Sequence, residues 1–500
     1  MKLVLLYIFF LSALSTNCFS QNLAGTISQI ATEYDMMGGS LVVFCENEFI
    51  EEVYWGESDD QRNIPTDFHT KYRIASISKT ITAIAIMQLV QQNELGLDDD
   101  IDSILGYNVQ NPSYPSSAIT PRMLLSHTSG IVDGSTYSSF LSATTNATVI
   151  PNISQLLLSG GSYYSSSLFN AIMPGTYFNY SNLNYVILGT IVEKVSGVRF
   201  DTYCKENIFE PLGIDASFNP ADLDDMNQLA VLYRKVSGVW TPQVDNFQGI
   251  PPTYSNLEGY TPGTNGARFG PQGSLRCSAR DLALIFMCLL DMDYCSNTLL
   301  QGQQLNDMLE QNWTYNGNNG NNYYGLFRSW GLGIHRITNT PNNDIVLPGS
   351  SQMFGHTGEA YGLVSDAYFD TTRRIGLVFL TNGVGTGYTT GSNSAFYTIE
   401  KDIFDAVENN FQGQNCLNIT ANETLLPRSA RSLSYAFENR VIQIRNESAA
   451  ASNELWIFNS IGQLVGVEEI GLGDVEVSLK AYPCGLYIAR FNNETIKIIR

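Results

Sequence analysis

Histidine is scarce in this chain, four in 500 residues, and no HExxH pattern or metal-spaced histidine pair occurs. Zinc-hydrolase chemistry built on that pattern is therefore set aside. Cysteine is limited to eight residues with no CxxC, which indicates neither a zinc ribbon nor a redox motif. Basic residues are outnumbered, 27 Lys and Arg against 48 Asp and Glu, for a formal charge of −21 and a pI near 4.5. Such an acidic surface argues against nucleic acid or an anionic membrane as partner and favours solubility. A G-x-S-x-G elbow is absent, which disfavours the serine hydrolases built on it. Long apolar runs are missing after the first twenty residues, since no later segment approaches the ~20 apolar residues of a spanning helix.

The first twenty residues, MKLVLLYIFFLSALSTNCFS, have one lysine, an apolar run and small or polar residues before Gln21. They read as a secretory signal peptide, with an apolar core too short for a membrane anchor. Thr16 and Asn17 make a poor lipobox before Cys18. The expectation is an exported, soluble protein, secreted or held at the cell surface. Seven cysteines remain, Cys45, Cys204, Cys277, Cys288, Cys295, Cys416 and Cys484. They read as core cysteines with one local disulfide possible, Cys288 with Cys295, and the connectivity otherwise open.

From residue 21 to 410 strands fall at both ends and helices fill the middle. SLVVFCENEFIEEVYWG reads as two strands about a turn at Glu46 to Glu48, and YGLVSDAYFD and RIGLVFLTN as two more. ISKTITAIAIMQLVQQNEL is apolar almost all round, the mark of a buried helix. Thr120-Pro121 is an N-cap followed by proline at the first helical position, opening a short helix that stops near Gly130. Hairpins rather than strand–helix alternation predict an α+β fold, an antiparallel sheet covered by helices with a helical lobe. Residues 218–270 read as loop. Residues 411–431 are polar and read as a linker, and 432–500 as short strands of a small β-sandwich.

The stretch RIASISKT carries the first chemical signal. Ser76 and Lys79 are three apart and share a helix face, whereas Ser78 points elsewhere. A serine hydroxyl needs a base to take its proton, and a lysine desolvated by the apolar helix that follows can be neutral enough to do so. Near a helix start, the backbone N–H of Ser76 also faces a developing oxyanion. In FNYSNLNY, Tyr180 and Asn182 point to one side; a phenol there can relay a proton and an amide can hold a carbonyl. In FGHTGEAYG, on a strand, Gly358 allows a substrate backbone to lie close, the Thr357 hydroxyl can bind a carboxylate or acyl group, and a protonated His356 adds positive charge. His127, in LLSHTSGI, reads as fixing a turn after a helix rather than taking part in acylation.

Taken in order, SxxK, YxN and [KH]TG resemble the signature of the penicillin-recognising serine hydrolases. LLSHTSGI, PGTYFNYSNLNYVILG, EKVSG, EPLGI and GSLRCSARDLA are similar to segments of the branch holding class C β-lactamases, D-alanyl-D-alanine carboxypeptidases and related esterases. The resemblance covers roughly residues 35–405. It implies a serine β-lactamase-like fold with Ser76 as the acylated nucleophile, Lys79 as its base partner and Tyr180 as proton shuttle. Asn182 would bind the substrate's amide side chain, and His356, Thr357 and Gly358 its polar end. The backbone N–H groups of Ser76 and Glu359 would form the oxyanion hole, with no metal or cofactor needed. Two departures stand out. Histidine in place of lysine at 356 is closer to the peptidase and esterase members, and Glu359 puts a carboxylate where a smaller residue is usual. Turned toward the pocket, Glu359 would disfavour anionic acyl donors; strand alternation offers the other direction.

The tail, with LWIFNSIGQLV, YPCGLYIARF and a terminal TIKIIR, resembles the C-terminal sorting domain of the type IX secretion system of Bacteroidetes. That resemblance implies an export address with no catalytic part and the type IX machinery as partner. On the whole the sequence implies an exported serine hydrolase acting through an acyl-enzyme. Its expected substrates are peptides or amides of D-amino acids first, small esters second and β-lactams third. The alternatives are a β-lactamase, or an idle member that binds penicillin or cell-wall peptide without turnover.

Overall fold

The structure is a computed structural model that describes residues 23–290, 295, 299–350, 352–411 and 416, and strand segments between 433 and 499. The expected signal peptide and most of the 411–431 linker lie outside the described residues.

Alternation decides how the central sheet is covered. Val42 and Phe44 on Gly38–Cys45, Ala367 and Phe369 on Leu363–Asp370, and Val378 and Leu380 on Ile375–Thr381 enter one apolar core. Leu41 and Val43, Val364 and Tyr368, and Leu377 and Phe379 on the same strands enter the other. Successive side chains of a strand point to opposite faces, so each strand serves two cores and is buried along its length. The second core is closed by the helices Leu23–Glu33 and Thr398–Phe411. The first is larger and is filled by a helical lobe, whose centre is Ser78–Gln91 packed against Asn182–Ser196. Both of these helices are buried nearly all round, as an unbroken apolar pattern requires.

Nine strands make the sheet, all pairs antiparallel. From one edge the order is Ile64–Pro65, Glu48–Asp59, Gly38–Cys45, Ile375–Thr381, Leu363–Asp370, Met353–Ala360, His335–Ile337, Ser329–Trp330 and Trp313–Thr314. The α+β arrangement is as expected. Residues 218–270 do contain a hairpin, Leu232–Val236 with Val239–Val244, which their scattered turn residues concealed. The helix at Pro121 ends at Leu125, earlier than expected, because His127 takes a left-handed φ of 57° and breaks it. Farther along, Leu433–Ala436, Val441–Asn446 and Gly473–Ser478 form a three-stranded antiparallel sheet. Glu454–Asn459, Leu464–Glu469, Leu486–Phe491 and Glu494–Ile499 form a four-stranded one.

Two disulfides join Cys288 with Cys295 and Cys45 with Cys416, while Cys204 and Cys277 are buried thiols. The long-range pair brings together residues 371 apart, which no spacing rule suggests.

Candidate active site

The site lies where the helical lobe meets the edge of the sheet. Of the strand Met353–Ala360 only Met353, Phe354 and Gly355 pair with His335–Ile337, so the stretch from His356 to Ala360 has no neighbour on that side among the described residues. The segment before the buried helix packs there instead. It is a single 3-10 turn, Ala75–Ile77, leading into Ser78–Gln91. Ala75 holds a φ of 47°, an uncommon conformation for a residue with a Cβ, directly before Ser76. A Cβ on Gly358 would stand 2.7 Å from the carbonyl oxygen of Ile74 and 3.2 Å from the Ala75 Cβ. The absent side chain thus makes room for the serine-bearing segment and for the Ser365 hydroxyl, which such a Cβ would meet at 2.6 Å.

Ser76 is half-buried and Lys79 wholly buried. Lys79 Nζ lies 3.0 Å from Ser76 Oγ, 2.9 Å from Asn182 Oδ1 and 2.6 Å from the main-chain oxygen of Gln272. Burial lowers its pKa to about 7, with the Asp133 carboxylate pulling the other way. Near neutral pH a large share of Lys79 is therefore an uncharged amine beside a serine hydroxyl. Ser78 is excluded from this group: it is buried, and its hydroxyl accepts from the Leu275 N–H at 3.1 Å.

Tyr180 is bonded to Ser76 through its hydroxyl, and its ring lies 5.0 Å from Lys79 Nζ. Desolvation pushes its pKa up, so the phenol keeps its proton and can donate but not serve as a standing base. Its ring is stacked on Phe327, 5.3 Å between centroids, and edge-on to Trp330. His127 holds the turn beneath it, as expected: its main-chain oxygen accepts from Asn179 and its Nδ1 from the Ser181 N–H at 3.1 Å. Burial keeps that imidazole neutral.

His356 corrects the expectation of a cation. It is wholly buried, and desolvation with Lys79 close by depresses its pKa well below the usual range. Its Nδ1 lies 2.5 Å from the Thr357 main-chain oxygen, which can only accept, so Nδ1 carries the hydrogen. Nε2 is then an acceptor, and it faces the Tyr180 hydroxyl at 3.5 Å. Thr357 is a second correction. Alternation turns it to the opposite face of the strand, where its hydroxyl donates to Glu400 Oε1 at 2.9 Å. Glu359 shares that face and accepts from the Tyr397 hydroxyl at 2.9 Å, away from Ser76. The expected oxyanion N–H groups belong to Ser76 and Glu359, one on the 3-10 turn and one on the free strand edge.

Asn182 opens its helix with both ends of the amide engaged, Oδ1 toward Lys79 and Nδ2 donating to Asp133 Oδ2 at 2.7 Å. Each end keeps a second hydrogen or lone pair, as the expected role toward a substrate's amide requires. Asp133 and Gln272 were not singled out from the sequence. Asp133 sits two residues beyond LLSHTSGI, in GIVDG, and that nearness was the available signal. Gln272 acts through its carbonyl oxygen, which any residue type would supply. Among the described residues no cluster of three His, Cys, Asp or Glu side chains fit for a metal ion is found.

Comparison with known proteins matches residues 23–394 to the family described as Beta-lactamase. The chain is 28% identical over 193 residues to penicillin-binding protein 4* of Bacillus subtilis, covering 38% of this chain and 40% of that protein. It thus spans about two fifths of the length of the curated relatives it matches. In fold it is similar to the octameric penicillin-binding protein homologue of Pyrococcus abyssi, with a TM-score of 0.58 at 18% identity, covering 96% of this chain and 98% of that one. It is likewise similar to the D-amino acid amidase of Ochrobactrum anthropi, with a TM-score of 0.55 at 20% identity, covering 80% and 98%.

Proposed function

Because this chain belongs to the β-lactamase family of serine hydrolases, we propose that it is an exported hydrolase that cleaves D-amino-acid peptides, amides or esters through an acyl-enzyme at Ser76. The observation that carries this reading is the buried, partly neutral Lys79 amine 3.0 Å from the Ser76 hydroxyl. Neutral Lys79 takes the Ser76 proton as Oγ bonds to the acyl carbon. The oxyanion is held by the N–H groups of Ser76 and Glu359. As the intermediate collapses and the bond to nitrogen or oxygen breaks, the Tyr180 hydroxyl gives its proton to the leaving group and regains one from the Lys79 ammonium. Water then attacks the ester, Lys79 again takes a proton, and Ser76 leaves with a hydrogen. The sum is one bond hydrolysed with no net proton change in the enzyme.

A neutral His356 supports uncharged acyl donors ahead of β-lactams, whose carboxylate gains nothing from it. The second reading, a protein that is acylated by penicillin and does not turn over, draws on the similarity to a penicillin-binding protein. The 432–500 strands are proposed to be a type IX sorting domain; the tail motifs support it. Two disulfides support an oxidising, extracytoplasmic destination.

Intact mass after incubation with a fluorophosphonate, and separately with a penicillin, tests the reading. A single adduct that vanishes in Ser76→Ala is expected. Persistence of the penicillin adduct favours the binding protein, its loss with turnover the hydrolase, and no adduct from either probe overturns both.

A further inference from the structure

The direction of the hydrogen bonds around Lys79 is decided from outside the Ser–Lys–Tyr group. A neutral amine has two N–H hydrogens and one lone pair, and Lys79 has three polar partners. The Gln272 main-chain oxygen can only accept, so it takes one hydrogen. Asn182 can offer either end of its amide, and the end it offers determines what remains for Ser76. If Oδ1 faces Lys79, both amine hydrogens are used and the lone pair points to the serine hydroxyl. If Nδ2 faces Lys79, the lone pair is taken by the amide, and Lys79 presents a hydrogen to Ser76 instead. Only the first arrangement is a base.

Asp133 selects it. Its Oδ2 is 2.7 Å from Asn182 Nδ2, and an ionised carboxylate has no hydrogen to give, so the amide nitrogen must face it. The carboxylate is itself held in place, because Oδ1 accepts from the Leu183 N–H at 2.9 Å and the Ser181 hydroxyl at 3.0 Å. All three bonds fall on the Tyr-Ser-Asn segment and the first turn of its helix. We propose that Asp133 is a positioning residue for acylation, fixing the orientation of the Asn182 amide so that the lone pair of Lys79 is directed at Ser76. The proposal rests on the serine-hydrolase reading above and adds to it a residue that touches no reacting atom.

A second effect of Asp133 separates this role from helix capping. Its charge favours the ammonium form of Lys79 against the desolvation that lowers it. The other groups around Lys79 are the rings of Tyr180 and Tyr185, at 5.0 and 5.5 Å, and the imidazoles of His127 and His356, all uncharged near neutral pH. Removing the Asp133 charge therefore shifts the Lys79 titration downward.

Asp133→Asn does both things at once. With Oδ1 still held by Leu183 and Ser181, the new amide nitrogen replaces Oδ2 and turns Asn182 around. The full chain is assayed with p-nitrophenyl acetate from pH 5 to 10. The plateau of kcat/KM is expected to fall at least ~10²-fold, the scale of a displaced general base, while the acidic limb moves to lower pH. The exchange Asp133→Asn with Asn182→Asp restores an acceptor-only group facing Lys79 and keeps the bridge between the two side chains. It is expected to recover at least tenfold of the plateau over the single variant. Its acidic limb lies above that of the native chain, because the carboxylate now adjoins the amine. An unchanged plateau in Asp133→Asn, a limb that stays in place, or an exchange that recovers nothing overturns the proposal. The exchange also serves should Asp133→Asn fail to fold: a limb at or below the native position in it overturns the proposal, and one above supports it. Fluorophosphonate labelling of native Ser76 is run in parallel. Absence of labelling removes the hydrolase reading, whereas labelling with the wrong pH behaviour removes only the role of Asp133.

Discussion

Gly358 and Ile74 stand so close that a methyl group on the glycine would meet the isoleucine carbonyl oxygen at 2.7 Å. The sheet edge and the segment that carries Ser76 are thus fitted backbone to backbone. Gly358→Ala is expected to push the Ala75–Ile77 turn away from the strand and to lower kcat/KM on a simple ester on the order of 10²-fold, the scale of a displacement near 1 Å. Overpacking of about 1–3 kcal/mol should appear in a thermal melt. Full activity with an unchanged melting temperature would show that the contact is not tight.

Lys79 titrates at about 7 in the folded chain. Below that pH it is an ammonium with no lone pair, so kcat/KM should fall about tenfold per pH unit on the acidic side and level off above. Lys79→Arg, which stays charged, should abolish turnover across the whole range. A pH–rate profile flat from 5 to 9 would assign the base to another group.

Thr357 gives the opposite signature to a substrate-binding residue. Its hydroxyl is spent on the buried Glu400, so Thr357→Val should cost about 1–3 kcal/mol of stability with KM nearly unchanged. A large rise in KM at unaltered stability would return the hydroxyl to the substrate.

The carboxyls of Asp366 and Glu400 lie buried together behind that strand, and desolvation raises both pKa values; the Glu400 charge raises Asp366 further, whereas the hydrogen bond with Asp366 lowers Glu400. The folded chain therefore binds more protons than the unfolded one above the ordinary carboxylate range. The stability they contribute is whole below the unfolded values near 4 and is lost as pH rises through the raised folded ones. Denaturant midpoints of Glu400→Gln should show a shallower decline between pH 4 and 8 than the native chain; equal slopes would show that the pair does not titrate there.

Much of this site could be read from the sequence because its parts are side chains at short, regular spacings. Ser76 and Lys79 share a face at three residues' separation even though the serine lies on a 3-10 turn rather than the helix, since such a turn also brings i and i+3 together. Burial of Lys79 followed from the apolar run around it. What escaped was the partner of each part. Asp133 reaches Asn182 across 49 residues, and Gln272 contributes only main chain. The charge of His356 was misjudged for a related reason: an imidazole's proton depends on the packing of Tyr180, Trp330 and Lys79 around it, and those contacts come from three separate segments. Thr357 shows the reverse, since its direction was available from strand alternation once the strand was assigned.

The Cys45–Cys416 bond turns residues 45 to 416 into a covalent ring. Ser76, Asp133, Tyr180, Asn182, Gln272 and His356 all lie on it. A protease that cuts one surface loop of this body, such as the stretch about Tyr324, opens the ring without dividing it, and both halves of the site stay tethered. Whatever is trimmed beyond Cys416 leaves the ring untouched. In a milieu rich in proteases, that makes this body tolerant of a single nick, and only a nick and a reductant together would divide it.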